Sequence, residues 1–327
     1  MSKISYEFKK YETTPDNLKK TLDKYGVAII PNVINELDCN NMVNEIWDYF
    51  ESITKSSSNQ ILRNDKDSWR NFYNLYPMHS MLFQHFSVGH CQASWNLRQN
   101  PKIVNIFSKF WNVEPKDLLV SFDGLSFNPP PEETNRGWNR NNTWFHSDQS
   151  FQRNNFECVQ SWITGLDVEE GDATLAFYEK SHKYHQNFKE MYSIESKNDW
   201  YKLNKEEEKF FLEKGCKIKK IMCPKGSLVL WDSRTIHCGV EALKGRENKK
   251  WRAVIYLCYQ PKKLSNDVQI KKKQKAFNEL RTTSHWPSKI KLFPKTPRTY
   301  GNTLPTIDEI EEPILNDIGK SLAGFDL

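Results

Sequence analysis

Cysteine never falls in a useful pattern in this chain. The seven residues, Cys39, Cys91, Cys158, Cys216, Cys223, Cys238 and Cys258, are scattered, odd in number, and form no CxxC pair. That argues against a disulfide framework or a structural zinc knuckle and makes a reducing compartment the expectation. An apolar leader is missing too: Met1 to Ile30 carry Lys and Glu throughout, so no signal peptide is visible. No uncharged apolar run approaches the roughly 18 residues of a membrane span. The expectation is a soluble, intracellular, cytoplasmic protein with no membrane partner. The net charge of +6 over 327 residues is too small to mark a nucleic-acid footprint, though it is compatible with an anionic substrate. Internal repeats and low-complexity tracts are absent.

Aromatics, by contrast, are plentiful: 11 Trp, 13 Tyr and 19 Phe suit a β-rich interior or an aromatic-lined pocket. The run from Tyr25 to Pro31 predicts a short buried strand closed by proline. Asn35 or Asp38 caps a following helix carrying Met42, Val43, Ile46, Trp47 and Phe50, and Pro101 opens another that ends near Trp111-Asn112. From Leu118 the chain changes to short apolar runs separated by turns. Strands are predicted at Leu118–Phe127 (one or two, with a turn at Asp123-Gly124), at His146, and at Cys158–Leu166 and Ala173–Tyr178. More follow at Cys216–Cys223, Ser227–Trp231, Thr235–Val240 and Arg252–Gln260. Residues 186–214 predict a helical insertion with a solvated face. Beyond Pro261 the chain turns basic and helical, then proline-interrupted.

About eight strands bracketed by helical ends predict a mainly β protein, a jelly roll with α extensions. The expected organisation is one domain over 1–327: a helical part to about 117, a β core over about 118–261, and a C-terminal extension over about 262–327.

The chemistry centres on Trp144-Phe145-His146-Ser147-Asp148-Gln149-Ser150. In an extended strand side chains alternate, so His146 and Asp148 project from one side. An imidazole and a carboxylate make two thirds of the 2-His-1-carboxylate facial triad that holds non-haem Fe(II) and leaves positions open. His237 is the leading third ligand, because its surroundings also read as strand and Arg252 opens the next one. Imidazole and carboxylate suit Fe(II) better than thiolate, so Cys238 is read as a bystander. A guanidinium offers two parallel donors to a carboxylate where Lys offers a point charge.

Other histidines weigh less. His79, His85 and His90 share no helix or strand face and have no carboxylate companion, so they read as ordinary core or surface residues. His182 and His185 read as turn and surface, and Lys271-Lys272-Lys273 as a solvated helix face. Arg136 and Arg140, in the long 129–143 loop, and Trp144 are candidate substrate contacts.

Several segments in order carry a resemblance: His146-Ser147-Asp148, Gln160-Ser161-Trp162-Ile163-Thr164-Gly165-Leu166-Asp167, Gly171–Tyr178, Ser181-His182, Gly226–Asp232, His237, and the Arg252 strand ending in Pro261. The span from about Gly26 to Pro261 resembles the phytanoyl-CoA dioxygenase-like (PhyH) family of Fe(II)- and 2-oxoglutarate-dependent oxygenases. The resemblance implies a double-stranded β-helix, cupin-like in outline, with the metal at its mouth. It implies that His146, Asp148 and His237 are catalytic iron ligands, that Arg252 grips 2-oxoglutarate, and that Trp162 lines the co-substrate pocket. Fe(II), 2-oxoglutarate and O2 would be consumed or held in hydroxylating a small or medium-sized organic molecule, with release of succinate and CO2.

Two departures stand out: Arg252 follows His237 by fifteen residues, leaving Arg246 as a rival, and Gly239 stands where many members carry a Ser. The competing readings are an oxygenase acting on a nucleic acid or protein side chain, and a jelly-roll binding protein without turnover.

Overall fold

Strand alternation sorts this chain into three apolar layers. The computed structural model describes residues 5–75, 82–137 and 143–326. Its strands are β1 (Ser5–Glu7), β2 (Val27–Ile30), β3 (Leu118–Val120), β4 (Leu125–Asn128), β5 (His146–Ser147) and β6 (Val159–Thr164), then β7 (Thr174–Tyr178), β8 (Tyr201–Lys202), β9 (Ile218–Ile221), β10 (Leu228–Asp232), β11 (His237–Val240) and β12 (Arg252–Pro261). One sheet runs β1-β9-β7-β11-β5-β8. The other runs β2-β10-β6-β12-β3, with β4 also paired to β12. Two facing sheets, largely antiparallel, make the cupin-like double-stranded β-helix, which here does not close into a barrel.

Period-two alternation decides which side chains meet. Along β12, Ala253, Ile255, Leu257 and Tyr259 point outward into one apolar cluster, while Val254 and Tyr256 point between the sheets. In the neighbouring strands Trp162 lies opposite both Val229 and Tyr256. It joins Leu175, Phe177 and Trp231 in the cluster between the sheets.

Helices cover the outer faces. Asn35 caps the Glu36–Ile53 helix by accepting from the Asp38 N–H at 2.8 Å, worth about 1 kcal/mol. Met42, Ile46, Trp47, Phe50 and Ile53 of that helix pack with Ile163, Leu230 and Ile255. The Pro101–Trp111 helix adds Phe107, stacked on Tyr259 at 4.4 Å. From the other end of the chain, Ala276 and Phe277 of the Asp267–Asn278 helix enter the same cluster. The opposite sheet is covered by the helices His185–Tyr192 and Lys205–Glu213, whose Phe188, Phe210 and Phe211 pack on Ala176, Tyr178 and Cys238. Cys238 therefore faces away from the space between the sheets.

Several expectations need correction. The polar start of the chain, where no element was predicted, is structured: β1 pairs in parallel with β9 and Leu18–Tyr25 is a helix. His182 and His185 are not turn and surface residues: His182 lies in a 3-10 helix, His185 opens the helix His185–Tyr192, and both are buried. The Nε2 of His182 meets the Asp23 carbonyl and that of His185 the Gln149 carbonyl. Lys273 is not solvated: it is 1% exposed, its ammonium on the Val120 carbonyl and 4.0 Å from the Phe122 ring. His90 is a core residue among Trp95, Phe122 and Phe277, and His79 lies outside the described residues. The seven cysteines are all free and buried, with Cys158 and Cys258 meeting at 3.2 Å between sulfurs. Among the described residues no helix is long and apolar enough to cross a membrane.

Candidate metal centre

Antiparallel pairing of two short strands builds the site. His237 of β11 is the register partner of His146 of β5, and their rings sit 4.4 Å apart between centroids. Asp148 follows one residue beyond β5, held by its N–H on the Ser233 carbonyl at 3.2 Å. Its Oδ2 lies 3.5 Å from His146 Nε2 and 3.4 Å from His237 Nε2. The three candidate ligand atoms fall within 4.8 Å of one another, and among the described residues no second cluster of three such groups occurs.

Both imidazoles are pinned through the nitrogen facing away from this point. His146 Nδ1 meets the Trp144 carbonyl at 3.1 Å and His237 Nδ1 the Thr235 carbonyl at 2.8 Å. A carbonyl only accepts, so Nδ1–H donates in each case and the Nε2 lone pair is left for an ion. Trp144 adds a flat wall, its ring stacked on His146 at 4.6 Å and its indole N–H on the Gly239 carbonyl at 3.0 Å. Gln160, which sequence reading missed as a site residue, donates to Asp148 Oδ2 at 3.1 Å. It stands two residues before Trp162 on the same face of β6, the signal that would have found it.

The electrostatics match a ligand set. Burial works to raise the Asp148 carboxyl, but while the imidazoles carry a proton on Nε2 the charge of His146 and hydrogen bonds from His146 and His237 hold it well below the usual range. Burial, then the charge of His146, push His237 down against the pull of Asp148. An ionised carboxylate and a neutral His237 imidazole are the states that metal binding requires.

Arg252 opens β12 opposite Asn128, one guanidinium nitrogen on the Ala173 carbonyl at 2.8 Å and the group 5.5 Å from the Trp162 ring. Its Nε is buried without a hydrogen-bond partner. Arg246, the rival, is committed elsewhere: it binds Glu132 through Nε and Nη2 and Asp172 through Nη1, at 2.7 to 2.9 Å. Arg136 lies over the Tyr73 ring at 4.3 Å, and Tyr73 lines the cavity bordered by Arg252. Arg140 lies outside the described residues.

The model of the phytanoyl-CoA dioxygenase (PhyH) family matches residues 22–241, two thirds of the chain and all three candidate ligands. This chain belongs to the phytanoyl-CoA dioxygenase family. Among curated relatives, Ava biosynthesis cluster protein O of Aspergillus versicolor is 26% identical over 214 residues, 62% of this chain and 65% of that protein. A putative phytanoyl-CoA dioxygenase of Dictyostelium discoideum is 34% identical over 113 residues, 33% of this chain and 30% of that one. The matched segment thus spans less than two thirds of either relative. The fold is shared with a solved hypothetical protein of Escherichia coli (TM-score 0.60, 13% identity, 97% of this chain and 85% of that one). It is shared also with a putative oxidoreductase of Salmonella typhimurium (TM-score 0.58, 13% identity, 95% and 82%). The stretch matched to the phytanoyl-CoA dioxygenase family stops before β12, so Arg252 rests on the geometry above.

Proposed function

We propose that the chain, acting as one unit over 1–327, is an Fe(II)- and 2-oxoglutarate-dependent oxygenase that hydroxylates a small or medium-sized organic substrate. Succinate and CO2 are the other products. The observation that carries this is the convergence of His146 Nε2, His237 Nε2 and an Asp148 oxygen on one point, each imidazole locked by a backbone carbonyl two residues upstream.

The residues fit the group. Two imidazoles and one carboxylate are a borderline-hard donor set suited to Fe(II), and three ligands on one face leave room for co-substrate and O2. When bound, the iron supplies the activation of O2 that no side chain can perform. The protein supplies placement. Arg252, with a buried Nε that has no protein acceptor, holds the distal carboxylate of 2-oxoglutarate through charge-assisted bonds. Trp162 walls the same space and carries the guanidinium over its ring face. Gly239 leaves no hydroxyl on β11, and the Ser126 and Tyr256 hydroxyls, 3.3 Å apart, take that role. Gln160 and the two carbonyls fix the ligands in one arrangement, and Trp144 and Trp231, against the rings of His146 and His237, exclude water around them.

The test is succinate formation from 2-oxoglutarate with added Fe(II) and ascorbate, without substrate. Slow uncoupled turnover that disappears in His146→Ala is expected. Its absence from well-folded, Fe(II)-loaded protein would return the chain to the class of non-catalytic binding proteins.

A further inference from the structure

The sheet that carries His146 and His237 continues past them by one strand. β8 is its edge, and the register sets His237 opposite His146 and His146 opposite Lys202. Register partners in an antiparallel pair project from the same face, with Cβ atoms about 5 Å apart. Lys202 therefore stands in one row with the two imidazoles, on the face that presents the metal centre. Trp200, two residues earlier, falls on that face by alternation, and its ring lies 6.0 Å from the His146 ring. Tyr201 and Leu203 take the other face, where both pack in the cluster with Phe151 and Phe188.

Neither side chain is taken up by the fold. Trp200 is 53% exposed, although the chain on both sides of it is tied down. Asp199 accepts from the Ser150 N–H at 3.3 Å and from Arg153 at 2.5 Å, and the Leu203 N–H donates to the Phe145 carbonyl at 2.9 Å. Lys202 is exposed as well, and among the described residues its ammonium has neither an ion-pair nor a hydrogen-bond partner. A large ring held in water beside a reaction centre offers an apolar contact, and the cation next to it offers a place for negative charge. On the oxygenase reading the rest of the centre does not claim that cation. The two positive charges of the ion meet Asp148 and the two carboxylates of the co-substrate, and Arg252 offsets the negative charge that remains. Lys202 is the cation left over.

We propose, on the basis of the oxygenase reading, that the substrate joins a planar apolar body, lying on Trp200, to a carboxylate or phosphate handle that pairs with Lys202. Two residues of strand separate the anchors by about 7 Å, so ring and handle are a few bonds apart. An ammonium is a point charge and does not choose between the two oxyanions. A lysine on an edge strand also discourages pairing with another chain, but that role makes no demand on Trp200. Trp200 and Lys202 are specificity residues: they select the substrate and take no part in ligating the ion.

The experiment uses the full chain loaded with Mn2+ and 2-oxoglutarate, so that binding is measured without turnover. Three probes share one ring and differ in the handle: 3-phenylpropionate, 2-phenylethyl phosphate and 2-phenylethanol. Calorimetric titration should show at least one of the two anions bound about fivefold tighter than the alcohol, the scale of an exposed ion pair. The tighter anion names the handle. Salt at about 0.5 M should erase most of that margin. Lys202→Gln should remove it, Lys202→Arg should keep it, and Trp200→Ala should weaken all three probes about tenfold, in line with the loss of one stacking platform. Mn2+ and 2-oxoglutarate should bind these variants as they bind the wild type. An alcohol bound as tightly as both anions, failure of all three probes to bind, or a margin that survives Lys202→Gln would overturn the proposal. So would a loss of 2-oxoglutarate affinity in Lys202→Gln, which would give the cation to the co-substrate. Mn2+ titration of His146→Ala separates the two readings. Unchanged metal affinity there sinks the oxygenase reading itself, whereas lost affinity with misranked probes sinks only the assignment of Trp200 and Lys202.

Discussion

Asp148 Oδ2 is the busiest atom of the site, since it faces both Nε2 atoms and also takes the Gln160 amide. A partner that orients a metal ligand typically matters by 10–100-fold in affinity. Gln160→Leu is therefore expected to weaken Mn2+ binding by about that range while leaving the fold intact, because Gln160 adds no apolar contact to the clusters. Wild-type affinity in a calorimetric titration would show that the amide orients nothing. A second residue-scale prediction concerns His90, packed among Trp95, Phe122 and Phe277. Burial is the main cause pushing its pKa down to about 3. A depressed histidine binds its proton more weakly folded than unfolded, so its share of stability is whole above about pH 6.5 and drains as pH falls toward 3. That share has a slope of about 1.4 kcal/mol per pH unit. His90→Gln should flatten the acid side of a stability-versus-pH curve from denaturant melts by about one proton; an unchanged slope would mean His90 is protonated when folded.

At the scale of elements, the difference between Arg252 and Arg246 is that between a strand and a loop. Arg252 begins β12 and has a donor to spare, whereas Arg246 is 3% exposed at the side chain and tied to Glu132 and Asp172. Arg252→Lys should raise the Kd for 2-oxoglutarate at least about tenfold with little change in melting temperature, since a point charge replaces a fork. Arg246→Met should do the reverse, costing about 3–5 kcal/mol because two buried carboxylates lose their partner. Thermal melts and co-substrate titrations on both variants decide it, and the opposite pattern would exchange the two roles. The same contrast explains what could be read in advance. β6, β7, β10 and β12 were visible because alternating or continuous apolar runs specify them without help. β8 was not, since two residues carry no period and Tyr201–Lys202 is a strand only because β5 lies beside it. That His146, Asp148 and His237 come together was legible from spacing and strand context. The place of Gln160 was not, because its meaning comes from Asp148 across the site, which no local pattern encodes.

For the whole molecule the question is whether the C-terminal extension is a lid or part of the body. Its Ala276, Phe277, Ile290, Leu322 and Ala323 share one cluster with Met42 and Phe50 from the N-terminal helix and Leu118, Leu257 and Tyr259 from the sheet. Lys273 reaches the Val120 carbonyl from the same side, and the Trp111 indole donates to Tyr259 O at 2.8 Å from the other. A shared apolar layer does not detach as a hinge does, because opening would wet the sheet and break the Lys273 bond to the Val120 carbonyl. Truncation after Pro261 is therefore expected to give insoluble or unfolded chain rather than an open enzyme. Full-length protein should melt in one cooperative transition, seen alike by calorimetry and by tryptophan fluorescence. A soluble, monodisperse 1–261 fragment with native Mn2+ affinity would separate the extension from the body.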